Sequence, residues 1–403
     1  MSPVLTRERS LPVERAIKLA RNVDVVKGHQ NRPSVLCLNR ASFSYDIDAL
    51  RRYAPRLSWA FLNTSDLHNH ICDWIPERYQ FQEKYAEYDD ADARHVWADA
   101  LRFGRVLLSK LHTTINLRAV MAANWDYWTD EALRLACADL KIPFVTLLRE
   151  MPILPFDAEV EGNFYQSYTL RPNIATACVG GKSMANVLEK CGVLPADKIQ
   201  ITGLPRFDRW HSLEDKSPSP RPTFVLFEFS DSTYLAPSAW KETVEIFVRK
   251  AHEYPQARFI VKLKPNTSNM KELREAVPQC EFMANEHLWD ILPQARMVIG
   301  YNSMALIESL LSSARIVIPQ WGDAQRPQRE QALMPSDKTW AQGIEYARYP
   351  QHMESMIETA MDGMLPLSEE QSAARRQCFD EFFHFDPQRL ASKAVEDVVM
   401  GLI

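Results

Sequence analysis

The chain has 403 residues, more than the roughly 250–300 at which one hydrophobic core stops growing, so two domains are the default expectation. A hydrophobic share of 46% with 25% charged residues, 12 Gly and 25 Pro is ordinary globular composition and excludes a disordered or fibrous chain. The formal net charge of −5 provides no field to gather DNA or RNA, so nucleic acid is not an expected partner.

The first residues, MSPVLTRERSLPVERAIKLARNV, lack the 7–15-residue apolar run of a signal peptide. No stretch approaches the ~18 apolar residues of a spanning helix, and a cytoplasmic protein is expected. Arg15, Lys18 and Arg21 would suit a basic helix lying peripherally on the inner face of the cytoplasmic membrane; a solvated helix face is the plainer account. After this helix, SVLCLN (34–39) and SWAFLN (58–63) are apolar runs closed by polar residues and read as buried parallel strands. Residues 76–115 have charged and aromatic helical spacing. AVMAAN (119–124) then predicts a strand, TDEALRLACADL (129–140) a helix capped by Thr129, and IPFVTLL (142–148) a further strand, together a βαβ unit.

ATACVGG (175–181) and KIQITG (198–203) repeat the pattern around another helix. The segment HSLEDKSPSPRP (211–222) is polar, proline-rich and aperiodic, and reads as an interdomain linker. Strands are expected again at 223–229, 257–263, 295–300 and 314–319, with helices between them and two closing helices at the end. The expected organisation is therefore an N-terminal Rossmann-like, acceptor-side domain (1–210), a linker (211–222), a nucleotide-sugar-binding domain (223–375) and closing helices (376–403). The fold class is α/β: two Rossmann-like, doubly wound parallel-sheet domains facing a cleft.

Candidate chemistry gathers at expected strand ends. In MVIGYNSMALIE (297–308) a buried strand runs through Gly300 into a helix start, where Asn302 and Ser303 could contact phosphate and Glu308 could accept ribose hydroxyls. Ser303 also fits an ordinary N-cap. FIVKLKPN (259–266) puts Lys262 and Lys264 on one face of a strand end, suited to a diphosphate or a sugar carboxylate. FVLFEFSDSTYL (224–235) ends in Ser230, Asp231 and Ser232; Asp231 could act as nucleophile or base, although turn chemistry accounts for Asp between serines as well. Glu150 ends an N-domain strand and could share acid–base work with Asp231. In GLPRFD (203–208), Gly203 permits a tight turn, Arg206 could reach a ligand, and Asp208 is expected to cap the following helix.

No Gly-rich dinucleotide fingerprint, P-loop or nucleophile elbow occurs. His68 and His70 lack further ligand spacing, the DID at 46–48 and DAD at 90–92 follow no suitable strand, and no metal site is expected. Seven scattered cysteines without CxxC predict free thiols in a reducing compartment.

These segments in this order resemble the GT-B glycosyltransferases of bacterial capsule and surface-polysaccharide synthesis, most of all the CMP-Kdo-dependent β-Kdo transferases, and more remotely the CDP-glycerol glycerophosphotransferases. The resemblance runs from about 142 to 321. It rests on Gly203-Leu204-Pro205-Arg206-Phe207-Asp208, Ser230-Asp231-Ser232, Lys262-Leu263-Lys264-Pro265, and Asn302, Ser303 and Glu308. It implies that Asp231 is a catalytic nucleophile in a retaining displacement, with Glu150 as the N-domain acid and Lys262, Lys264, Asn302, Ser303, Glu308, Ser232, Gly203 and Arg206 holding the nucleotide sugar. Glu228 stands where the family has Gln, and Lys264 where it has His. The resemblance further implies a metal-independent enzyme of lipopolysaccharide O-antigen or capsule biosynthesis without cofactor. Its partners would be a nucleotide sugar, a lipid-linked or oligosaccharide acceptor, and other polysaccharide-assembly enzymes. A non-hydrolysing sugar-nucleotide 2-epimerase and a catalytically inactive assembly scaffold are the alternatives.

Overall fold

Two parallel sheets of six strands each organise the residues described by the computed structural model, namely 3–25, 31–40, 43–80, 91–148, 158–166, 173–212, 221–228, 237–264, 270–301, 303–324, 340–363 and 366–403. The chain divides into two units. The first is built from the N-terminal part, Ala158–Asp208 and Phe383–Ile403, and the second from Arg209–Phe382.

In the first unit α1 (Pro3–Leu19) precedes β1 (Ser34–Asn39), α2 (Phe43–Tyr53), β2 (Ser58–Asn63), α3 (Thr64–Ile71) and α4 (Ala91–Ile115). There follow β3 (Leu117–Ala122), α5 (Glu131–Leu140), β4 (Phe144–Leu148), α6 (Ala158–Gln166), β5 (Thr176–Val179), α7 (Lys182–Cys191) and β6 (Ile199–Ile201). The strand order is β2-β1-β3-β4-β5-β6 with every pairing parallel. Apolar runs buried on both faces, such as β1 and β4, are what a sheet covered on both sides requires. The order reverses direction between β1 and β3, the topological switch point of this sheet.

Gly104 lets α4 approach α5 closely. A Cβ there would lie 2.3 Å from the Ala132 carbonyl oxygen and 2.6 Å from the Ala136 Cβ, contacts no side chain tolerates. Thr129 is not the N-cap of the next helix: a 3-10 turn, Trp128–Asp130, intervenes, and α5 starts at Glu131. The Thr129 hydroxyl instead donates to Asp130 Oδ1 at 3.0 Å.

The second unit contains β7 (Thr223–Phe227), α8 (Pro237–Glu253), β8 (Arg258–Lys262), α9 (Met270–Ala276), β9 (Glu281–Met283), α10 (Leu288–Ile291) and β10 (Met297–Ile299). It continues through α11 (Met304–Glu308), β11 (Arg315–Pro319), β12 (Glu345–Ala347), α12 (Pro350–Asp362) and α13 (Glu369–Phe382). Read from β9, the order is β9-β8-β7-β10-β11-β12, all parallel. This is the Rossmann order, and its switch point lies between β7 and β10. Phe259 anchors the core, stacked on Phe224 at 4.9 Å and edge-on to Phe247 at 5.0 Å. Both edge strands, β9 and β12, escape the sequence reading. Each has three residues, and each is held by an arginine on its neighbour: Arg258 grips Glu281 in bidentate fashion at 3.0 and 2.7 Å, and Arg315 grips Glu345 likewise.

The segment 203–208 works within the first unit. Gly203 has φ 72°, and a Cβ there would meet the His384 carbonyl oxygen at 2.4 Å. The Arg206 backbone N–H and Nε donate to Asp46 Oδ1 at 3.1 Å each. Phe207 packs on Phe383 with centroids 5.2 Å apart. Asp208 caps a helix, but not the one that follows it. Its carboxylate accepts from the backbone N–H groups of Ala391 and Ser392, at 2.7 and 2.8 Å, at the start of α14 (Ala391–Met400). Gly203, Phe207 and Asp208 thus meet the C-terminal segment that carries α14, and Arg206 meets α2.

The expected linker at 211–222 opens inside a 3-10 helix, Pro205–Ser212, and its residues 213–220 lie outside those described. Of the two closing helices, α13 belongs to the second unit and α14 to the first. All seven cysteines are free thiols. Among the described residues no helix is long and apolar enough to cross a membrane.

Candidate functional site

The second unit gathers several of the sequence candidates at the carboxyl ends of its strands. Lys262 ends β8, and burial pushes its ammonium below the usual lysine range against the pull of Glu286, Glu228 and Glu308. Its Nζ donates to the carbonyls of Leu263 at 2.9 Å and Ala284 at 2.6 Å, so it ties β8 to the turn after β9. Lys264 is exposed, and its backbone N–H donates to Glu228 Oε2 at 3.1 Å. Glu228 extends the β7–β8 ladder through its own N–H to the Lys262 carbonyl at 3.0 Å. The two lysines therefore differ in role: Lys262 braces the strand ends, and Lys264 is the one that presents its side chain to solvent.

Across the switch point, Ser303 is the N-cap of α11, its Oγ accepting from the Leu306 N–H at 3.2 Å. The helix expected after Gly300 is α only as far as Glu308 and continues as a 3-10 turn, Ser309–Leu311. Glu308 is half-buried and accepts from the Trp210 indole N–H at 3.1 Å, so its carboxylate is aimed by a neighbouring ring. Close by in sequence to the Lys262 anchor at Ala284, His287 stacks on Trp289 with centroids 4.1 Å apart, and the Arg209 guanidinium lies 4.8 Å from the Trp289 ring centre. The stack is not expected from the sequence; its signal there is the adjacent His, Leu and Trp that follow β9.

Arg206 and Gly203, expected to hold the nucleotide sugar, are occupied in the first unit as described above: Arg206 is paired with Asp46 and Gly203 faces His384. Asp231, Ser232, Glu150 and Asn302 lie outside the described residues. Among the described residues no group of three His, Cys, Asp or Glu could hold a metal ion.

The first unit holds a polar cluster of which the sequence suggests only a strand ending before Arg40 and a helix cap at Thr129. Arg40, just beyond β1, donates through Nη2 to Thr129 Oγ1 and to Asp130 Oδ1, both at 2.5 Å, and its guanidinium lies 3.7 Å from the Tyr127 ring centre. Burial pushes the Asp130 carboxyl up to about 6, opposed by Arg40 and by the Thr129 hydrogen bond and reinforced by the charge of Asp126. A carboxyl raised in the folded state favours folding below its ordinary value of 3.8, and that contribution is lost as pH rises through about 6. Relative to Asp130→Asn, the wild-type chain should lose roughly 2–3 kcal/mol of stability between pH 4 and pH 7. Urea unfolding at intervals across that range would measure it; parallel pH profiles for the two proteins would show that Asp130 titrates normally.

No protein-family model and no curated protein matches the chain in sequence. Solved structures do resemble it. S. aureus MnaA with UDP superposes with a TM-score of 0.52 at 11% identity, covering 92% of this chain and 98% of that one. A UDP-N-acetylglucosamine 2-epimerase gives 0.51 at 12% identity, over 92% and 95%. An α,α-trehalose 6-phosphate synthase from Burkholderia multivorans gives 0.44 at 11%, over 92% and 96%. The fold is GT-B. Two doubly wound units of this kind bring ligand chemistry to the carboxyl ends of their strands, which is where Lys264 and Ser303 stand in one unit and Arg40 in the other.

Proposed function

We propose that the chain is a nucleotide-sugar enzyme, a metal-independent glycosyltransferase that binds its donor nucleotide at the carboxyl edge of the second sheet and serves bacterial lipopolysaccharide O-antigen or capsule synthesis. The observation that carries this reading is the grouping of Lys262, Lys264, Glu228 and Ser303 at or just beyond strand ends, with Glu308 at the end of the short α11, around the β7–β10 switch point. Lysine side chains there would balance phosphate charge, and a carboxylate oriented by Trp210 suits ribose hydroxyls. The His287–Trp289 stack supplies a flat face for a base.

The donor in this reading is CMP-Kdo or a related CMP-sugar. Asp231 attacks the anomeric carbon as CMP leaves, and an acceptor hydroxyl, losing its proton to Glu150, then displaces Asp231 with net retention. Asn302 and Ser232 complete the donor contacts, and a lipid-linked or oligosaccharide acceptor meets the first unit.

A second reading, a non-hydrolysing UDP-sugar 2-epimerase, is favoured by the likeness to MnaA with UDP and to a UDP-N-acetylglucosamine 2-epimerase over nearly their whole lengths. Incubation with CMP-Kdo or UDP-N-acetylglucosamine alone, followed by proton NMR, separates the two. A transferase releases at most a slow trickle of free sugar, whereas an epimerase builds up a new sugar nucleotide. Thermal-shift titration against CMP, UDP, GDP and CDP tests the broader reading, since a bound nucleotide raises the melting point by mass action. If none of the four shifts it, the nucleotide-sugar assignment fails.

A further inference from the structure

The Arg40–Asp130 pair lies at the switch point of the first sheet, where the chain leaves β1 on one side and β3 on the other. Asp130 is deeply buried, with a side-chain exposure of 2% against 18% for Arg40. The pairing satisfies only part of it. Asp130 Oδ2 and Arg40 Nε are both buried without a hydrogen-bond partner. Leaving such groups unsatisfied costs stability, and a buried ion pair is a poor way to stabilise a fold compared with apolar packing of the same volume.

The arrangement does define one thing sharply, the orientation of the Arg40 guanidinium. Nη2 is fixed from one side by Thr129 and Asp130, and the planar group is laid against the Tyr127 ring. Nη1 makes no hydrogen bond among the described residues, so that edge of the fork is available. A planar, permanently charged fork suits phosphate and carboxylate, and ligands of doubly wound sheets bind beyond the strand ends at the switch point.

We propose that Asp130 is a positioning residue, and that the Arg40 guanidinium, aimed by Asp130, Thr129 and the Tyr127 ring, receives an oxyanionic group of a ligand at the β1–β3 switch point of the first unit. The preceding functional reading enters only in naming the source of that group, a phosphate of a nucleotide or the carboxylate of an acidic sugar.

Isothermal titration of the full chain with inorganic pyrophosphate, and separately with free Kdo, tests the proposal and distinguishes the two sources. Arg40→Ala should weaken the anion that binds by about tenfold or more, the worth of a lost charge-assisted contact. Asp130→Asn should weaken it comparably in the wild-type background and have no further effect in the Arg40→Ala background, because it acts through Arg40. A merely structural Asp130 would lower the melting temperature while leaving both affinities unchanged. Should Asp130→Asn fail to fold, Thr129→Val, which loosens the same guanidinium without removing charge, replaces it in the cycle. The proposal is overturned if neither anion binds the wild-type chain, if Arg40→Ala binds as tightly as wild type, or if the effects of the paired variants simply add. Pyrophosphate binding requires no turnover, so this result is independent of whether the chain transfers or epimerises a sugar.

Discussion

Arg206→Ala should remove about 3–5 kcal/mol from the stability of the first unit, because it strips the partner from a carboxylate with no exposure at all. Asp46 is fully buried and Arg206 is 12% exposed, and the arginine reaches it through its backbone N–H as well as its guanidinium. Removing one member leaves an uncompensated charge in the interior. Replacing both, with Asp46→Leu and Arg206→Met, should return most of the loss, since apolar packing of similar volume is often as good as a buried pair. Urea unfolding of the three variants checks this. An Arg206→Ala chain as stable as wild type would mean that the arginine is held in reserve for a ligand.

Gly203→Ala is the second large effect, about 2–4 kcal/mol. A non-glycine residue at φ 72° is itself disfavoured by roughly 1–2 kcal/mol, and the added methyl would stand 2.4 Å from a backbone carbonyl that must move. That carbonyl belongs to His384, whose N–H is bonded to the Gly180 carbonyl at 2.7 Å. The strain is therefore delivered to the returning C-terminal segment. Limited proteolysis should show cleavage near residue 384 at a rate well above wild type, and an unchanged digestion pattern would show that the segment absorbs the methyl.

Much of the fold was legible because buried parallel strands announce themselves as apolar runs. Ser34–Asn39 and Ser58–Asn63 are strands to the residue. The edge strands Glu281–Met283 and Glu345–Ala347 were not legible, because three residues carry no period and what fixes them is a cross-strand arginine, Arg258 or Arg315. The candidate site divides in the same way. Lys264 and Ser303 follow apolar runs closely, so their place near strand ends could be read, and Glu308 is reached through the short helix that Ser303 caps. Gly203 and Arg206 have partners at His384 and Asp46, distances along the chain that no local pattern encodes. Arg40 and Asp130 meet only because β1 and β3 are neighbours in space, so their separate sequence signals, a strand ending and a helix beginning, concealed the pair.

Asp208 and Gly203 also impose an order on synthesis. The helix they secure, Ala391–Met400, is translated after every strand of both sheets, so of the two units the one whose first strands are made earlier is completed later. Arg209–Phe382, which holds all the described residues of the other unit, can close its own core while the nascent N-terminal sheet still waits for α14. During that interval the earlier half is the more exposed to chaperones and to misassembly.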